Sequence, residues 1–169
     1  VTDRAYACQV LLSLCETVGM RLRRDGQAGS CITIQLRTSE FETWSHQMRL
    51  ASATNVTGEL YLAACSLLDQ AWDRKTPLRQ LGVSVTQLAD GTLRQYSLFD
   101  AADYARQEKL DTAVDALREK FGEGALFRAA LLHSDERMAG GLHKKRRTGI
   151  TKPIEDEAAR IRKKYGNND

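Results

Sequence analysis

Nine polar residues at alternate positions of three short segments carry the clearest chemistry in this chain. Thr33, Gln35 and Arg37, then Ser45, Gln47 and Arg49, then Gln80, Ser84 and Thr86 share one side of predicted strands. They present hydroxyls, amides and guanidinium groups, and almost no carboxylate. All of these groups donate hydrogen bonds to phosphate oxygens, so the chemistry on offer is non-covalent grip on a polyanion. The same residues also suit an ordinary solvated sheet face. A second signal is the stretch Gln95-Tyr96-Ser97-Leu98-Phe99, just past the turn at Asp90-Gly91. No strand or helix pattern there uses the Leu-Phe pair as an anchor. The pair either folds back onto its own domain or serves as a hook for another surface.

Covalent or acid–base chemistry finds little support. Asp3, Asp25, Glu40 and Glu59 lie singly at predicted caps or turns. His46 falls on the inward side of a predicted strand, and His133 and His143 lie towards the C-terminal end, so no Ser-His-Asp constellation forms. Cys8, Cys15, Cys31 and Cys65 form no C-x-x-C pair and have no histidine at ligand spacing. They read as small buried hydrophobes in a reducing compartment. No catalytic residue, metal site or cofactor is assigned to this segment.

The elements that must position the polar face are legible from periodicity. Thr2 or Asp3 can cap a first helix, along which Ala5, Cys8, Leu11, Leu12, Cys15, Val18 and Leu22 recur at helical spacing. Arg23-Arg24-Asp25-Gly26 ends it, with basic residues at the negative end of the dipole. Two alternating segments follow. Ile32, Ile34 and Leu36 face inward on the first, and Trp44, His46, Met48 and Leu50 on the second, with a bend at Ser39-Glu40-Phe41. A second helix starts after Asn55, with Thr57 as a possible cap and Leu60, Tyr61, Ala64, Cys65, Leu68 and Trp72 as its stripe. Leu81, Val83 and Val85 mark the inner side of a third strand. The fold class is therefore α+β, a sheet with two helices packed on one face, followed by a helical C-terminal tail. In that tail Leu110, Ala113, Val114, Leu117 and Phe121 form a helical stripe ended by Gly122.

Length and charge bound the partners. A chain of 169 residues with 42% hydrophobic content suits one domain plus an appendage. The expected organisation is a domain over 1–90, a peptide over 91–100, a helical tail over 101–134 and a basic, largely flexible tail over 135–169. The net charge of +3 is uneven: residues 1–88 carry 9 basic and 8 acidic groups, residues 89–134 carry 6 and 8, and residues 135–169 carry 10 and 6. Contact with nucleic acid from the body must then come from a patch rather than from net charge. Within the last part, "IEDEAARIRKKY" could form a helix, acidic first and basic last. No apolar run approaches a membrane span and no signal peptide is visible.

The ordered series "RLRRDGQAGSCITIQLRTSEFETWSHQMRL" and "LGVSVTQLADGTLRQYSLFD" resembles the little-finger domain of Y-family translesion DNA polymerases, over residues 1–99. "LDTAVDALREKFGEGALFRAALL" resembles the tail that follows it in some members. The resemblance implies a DNA-backbone contact through Thr33, Gln35, Arg37, Ser39, Ser45, Gln47, Arg49, Arg79, Gln80 and Ser84. Several positions often cationic in that family are Gln or Ser here. It also implies that Gln95, Tyr96, Leu98 and Phe99 form a peptide that docks on the β sliding clamp. Polymerisation would belong to a palm domain with Mg²⁺, which this segment lacks, along with fingers, thumb and the first strand of the sheet. The implied protein is a monomer of the bacterial cytoplasm, associated with the nucleoid and acting in DNA repair. A stand-alone clamp-docking adaptor whose sheet binds protein is the alternative.

Overall fold

The computed structural model describes residues 1–91, 101–122 and 124–131. In chain order it contains α1 (Arg4–Arg24), β1 (Gln27–Thr38), β2 (Thr43–Thr54), α2 (Thr57–Ala71), β3 (Leu78–Asp90), α3 (Ala101–Phe121) and a 3-10 turn at Ala129–Leu131. The strands form one antiparallel sheet in the order β2-β1-β3. The peptide over 91–100, apart from Gly91, and the residues beyond Leu131 lie outside the described residues.

The expected α+β architecture is present, and the core explains it. Ile32, Ile34 and Leu36 on the central strand are each fully buried, against Leu11 and Cys15 of α1 and Leu60, Leu67 and Leu68 of α2. α1 starts where Asp3 accepts a hydrogen bond from the Tyr6 amide, which resolves the choice between Thr2 and Asp3. It ends at Gly26, whose φ of +64° is the left-handed conformation that glycine adopts without a Cβ penalty. Gly91 returns to the same place and donates its N–H to the Gly26 carbonyl at 3.0 Å. Val1 and Leu78 exchange both backbone hydrogen bonds, at 2.6 and 2.8 Å, and so tie the start of the chain to β3. Burial pushes the Cys15 and Cys65 thiols up to about 12, consistent with their reading as packing groups.

Three details differ from the periodicity reading. His46 is exposed: it sits midway along β2, an edge strand that the helices cover only in part. The N-cap of α2 is Val56, which offers no side-chain acceptor. The capping oxygen comes from α3 instead, where Asp111 Oδ2 accepts from the Thr57 amide at 2.8 Å. The third difference is the side by which α3 docks. Tyr104, Asp111 and Arg118 are its buried residues. Leu110, Leu117 and Phe121, from the expected apolar stripe, are exposed at 59, 42 and 65%.

Charge, not apolar area, holds α3 to the body. Arg23 of α1 donates to the Asn55 carbonyl at 2.6 Å and pairs through two nitrogens with Asp115, at 2.6 and 3.1 Å. It also reaches Asp111 at 3.2 Å. Arg128 bridges Asp111 and the buried Glu16 of α1, at 2.8 and 2.9 Å. Arg118 adds a contact to Glu16 and donates to the Leu126 carbonyl. Tyr104 donates its hydroxyl to the Asn55 side chain at 3.1 Å. Gly19 makes room for this junction: a Cβ there would lie 2.9 Å from Thr57 Oγ1 and 3.0 Å from the Arg23 guanidinium. Removing one member of a buried ionic set strands the others, at a cost of about 3–5 kcal/mol. Asp111→Ala should therefore lower stability to urea by about that amount. Leu110→Ala, one residue away on the exposed side, should change it by less than about 0.5 kcal/mol.

Candidate nucleic-acid interface

The face of the sheet opposite the helices is built by register. Antiparallel pairing sets residues directly opposite one another on the same side of the sheet. Across β2, β1 and β3 the outward rows are Arg49–Cys31–Thr86, Gln47–Thr33–Ser84, Ser45–Gln35–Gly82 and Thr43–Arg37–Gln80. No Asp or Glu occupies any position of these rows. From Cys31 to Arg37 the rows extend about 20 Å along the strands, at 3.3 Å per residue. Arg49 stands at one end of that track and Arg37 at the other, with hydroxyls and amides between them.

The Arg37 end is more elaborate than the sequence suggested. A register shift after Arg37 and the turn at 39–42 bring Phe41 beside the sheet. The Arg37 guanidinium carbon lies 4.9 Å from the Phe41 ring centroid, and that of Arg79 lies 4.8 Å from it. Two cations thus share one aromatic ring, each attracted to its negative face. Phe41 is 56% exposed and adopts φ +71°, a conformation rare for a bulky residue. The buried Thr38 hydroxyl holds the turn by accepting from the Glu40 and Glu42 amides, both at 3.2 Å. Beside the ring, Gln35, Arg37, Thr43 and Gln80 line a small polar recess of about 100 Å³. Arg37 Nε is buried there with no hydrogen-bond acceptor. A donor left in that state suits an incoming oxygen, and a phosphate or carboxylate would supply one.

Nine of the ten residues expected to touch DNA lie on this face or at its Arg37 end. Thr33, Gln35, Arg37, Ser45, Gln47, Arg49, Gln80 and Ser84 occupy the rows, and Arg79 joins through Phe41. Ser39 is exposed in the turn, with its N–H bonded to the Pro77 carbonyl at 3.3 Å. The periodicity reading missed Phe41, for which an aromatic residue in a polar bend was the available signal. It also missed Thr43, one row beyond the last expected residue of β2. Glu40 and Glu42 flank the ring in the turn and are exposed. Gln95, Tyr96, Leu98 and Phe99 lie outside the described residues. Among the described residues, no group of three or more His, Cys, Asp or Glu side chains could hold a metal ion. No helix among them is long and apolar enough to cross a membrane.

Residues 1–98 match the impB/mucB/samB family C-terminal domain. A DNA polymerase IV of Clostridium acetobutylicum is 35% identical over 137 residues, which cover 81% of this chain and 34% of that protein. DNA polymerase IV 2 of Bacillus subtilis is 36% identical over 126 residues, covering 73% of this chain and 30% of the relative. A DNA polymerase IV of Moorella thermoacetica is 36% identical over 132 residues, covering 78% and 32% respectively. The chain thus spans about a third of the length of the curated relatives it matches.

Proposed function

The chain belongs to the impB/mucB/samB family as its C-terminal domain, and we propose that it grips the DNA backbone and docks on the β sliding clamp for a translesion DNA polymerase. The observation that carries this reading is the outward sheet face: Arg37 and Arg49 in its rows with Arg79 beside them over Phe41, hydroxyls and amides between, and no carboxylate in those rows. Such a surface contacts sugar and phosphate without reading base sequence, which suits an enzyme that must accept altered templates. Arg37 contributes most, because its Nε is already desolvated and has no acceptor of its own. Polymerisation and its Mg²⁺ belong to the remaining two thirds of the parent protein, and this segment contributes grip and placement. The working species is a monomer in the bacterial cytoplasm, at the nucleoid.

Gln95, Tyr96, Leu98 and Phe99 form the clamp-docking peptide. Support comes from its residue types and from its attachments. It leaves the body at Gly91, bonded to Gly26, and re-enters at α3, which is held by Arg23. Burying Leu98 and Phe99 in an apolar groove contributes about 1.5–3 kcal/mol each, and ordering the peptide offsets part of this. The hook alone is a modest tether, strengthened when the sheet holds DNA at the same time.

The exposed ring of Phe41 favours a second reading, an adaptor whose sheet binds protein. Salt distinguishes the two. Fluorescence anisotropy with a short duplex of arbitrary sequence should give an affinity that falls steeply with salt. Arg37→Ala combined with Arg49→Ala should reduce the slope of log affinity against log salt by about 1.8, at roughly 0.9 per phosphate contact. An affinity flat with salt would favour the adaptor. For the hook, Leu98→Ala with Phe99→Ala should abolish binding to the clamp in surface plasmon resonance and leave the thermal midpoint unchanged. A large fall in the midpoint would make the pair part of the core.

A further inference from the structure

Two of the four cysteines meet across the helical layer, and all four are free thiols. Cys8 lies on α1 and Cys65 on α2, 57 residues apart in sequence, and the Cys65 thiol donates to Cys8 Sγ at 3.4 Å. The packing that brings them together is itself anchored. One turn before Cys8, Arg4 holds Asp69, one turn after Cys65, through two hydrogen bonds of 2.6 Å. Four residues back on α1 thus match four residues forward on α2, so the two helices run antiparallel here. The ion pair and the thiol pair are successive rungs of one contact.

Access to the pair is one-sided. Cys8 is 6% exposed and belongs to the core, whereas Cys65 is only half-buried. A small oxidant meets Cys65 first, and Cys8 stands behind it as the resolving thiol. A disulfide sets its sulfurs about 2.05 Å apart, so the pair must close by roughly 1.4 Å, a movement on the scale of side-chain rotation. Burial pushes the Cys65 thiol up to about 12; Cys8 acts in the same sense, and Tyr61 and Arg4 oppose it. At neutral pH the two groups therefore rest as thiols and pack as small hydrophobes. Their oxidation is slow there and quickens as rising pH forms thiolate.

We propose that Cys8 and Cys65 form a reversible disulfide that braces α1 against α2 when a two-electron oxidant, hydrogen peroxide or a diazene, is present. The Cys65 thiolate attacks one oxygen of the peroxide and the O–O bond breaks. A sulfenic acid remains, and the released hydroxide takes up the thiol's proton to become water. Cys8 sulfur then displaces the sulfenic oxygen, which leaves as a second water, and the S–S bond forms. Two thiols have lost two protons and two electrons, and one peroxide has become two waters. With a diazene, the same protons and electrons convert N=N into a hydrazine. A thiol reductant reopens the bridge by exchange. This assignment is independent of whether the sheet binds DNA or the hook binds the clamp.

Diamide, a diazene, added to the full chain at about pH 8.5 tests it. After unfolding and alkylation, peptide mapping should find Cys8 linked to Cys65, with Cys15 and Cys31 alkylated. The intact mass before alkylation should fall by about 2 Da, and dithiothreitol should restore all the thiols. The thermal midpoint of the oxidised chain should rise by at least about 5 °C, because the bridge closes a long loop in the unfolded chain. Cys65→Ser, a change at a half-buried position, should lose both the link and the rise. Cys15→Ala should keep both. Full alkylation of Cys8 and Cys65 after oxidation would overturn the proposal. So would a bridge that recruits Cys15 or Cys31, or one that joins two chains as a dimer on a non-reducing gel. A linked pair with an unchanged midpoint would remove the brace and equally overturn it.

Discussion

The alternation of one strand constrains everything else in this domain. β1 lies in the middle of the sheet, and its inward residues Ile32, Ile34 and Leu36 have no exposed surface. Withdrawing each from water contributes about 1.5–3 kcal/mol. Sliding the strand by one residue would expose all three and turn Thr33, Gln35 and Arg37 into the core. The apolar side therefore locks the register, and the register composes the polar side. β2 and β3 inherit their rows from β1 through direct pairing, so the outward track is a consequence of burial on the reverse face.

A second constraint operates at the C-terminal end of α1, where the helix carries Arg23 and, two turns earlier, Glu16. Both are largely withdrawn from solvent, an arrangement that persists only when each charge has a partner. Asp111, Asp115, Arg118 and Arg128 supply those partners, so α3 and the segment after it complete the body. Asp111 also satisfies an N–H at the start of α2 that no local residue caps. The joint is specific in geometry because guanidinium and carboxylate meet through paired donors and acceptors. Gly91 and α3 are thereby both bonded to the end of α1, Gly91 through Gly26 and α3 through Arg23.

What the sequence disclosed follows the strength of its periodic signals. The 3.6-residue pattern of α1 and the two-residue pattern of β1 are strong, because each packs one side on a single dry core. The rows of polar residues were legible for the same reason, as the complement of the apolar positions. α3 was misread because periodicity assumes that the apolar side is the one that packs. Its contacts depend instead on Arg23, Glu16 and Arg128, residues from 17 to 112 positions away from their partners in sequence, and no local pattern encodes those pairs. The Arg37–Phe41–Arg79 cluster was hidden likewise, since it needs the strand register, a turn with positive φ and a bulge to bring Arg79 alongside. His46 shows a smaller limit: alternation gives the side of a strand a residue occupies, but not whether a helix reaches that far across the sheet.

The claim on which the account rests is that the outward sheet face is the surface that meets DNA. Backbone chemical shifts of the isotopically labelled chain, followed during titration with a short duplex of arbitrary sequence, map that surface residue by residue. The account predicts shifts at Thr33, Gln35, Arg37, Phe41, Thr43, Ser45, Gln47 and Ser84, with α1 and α2 unmoved. Shifts confined to the helical side or to residues 135–169, with the sheet face silent, would contradict it.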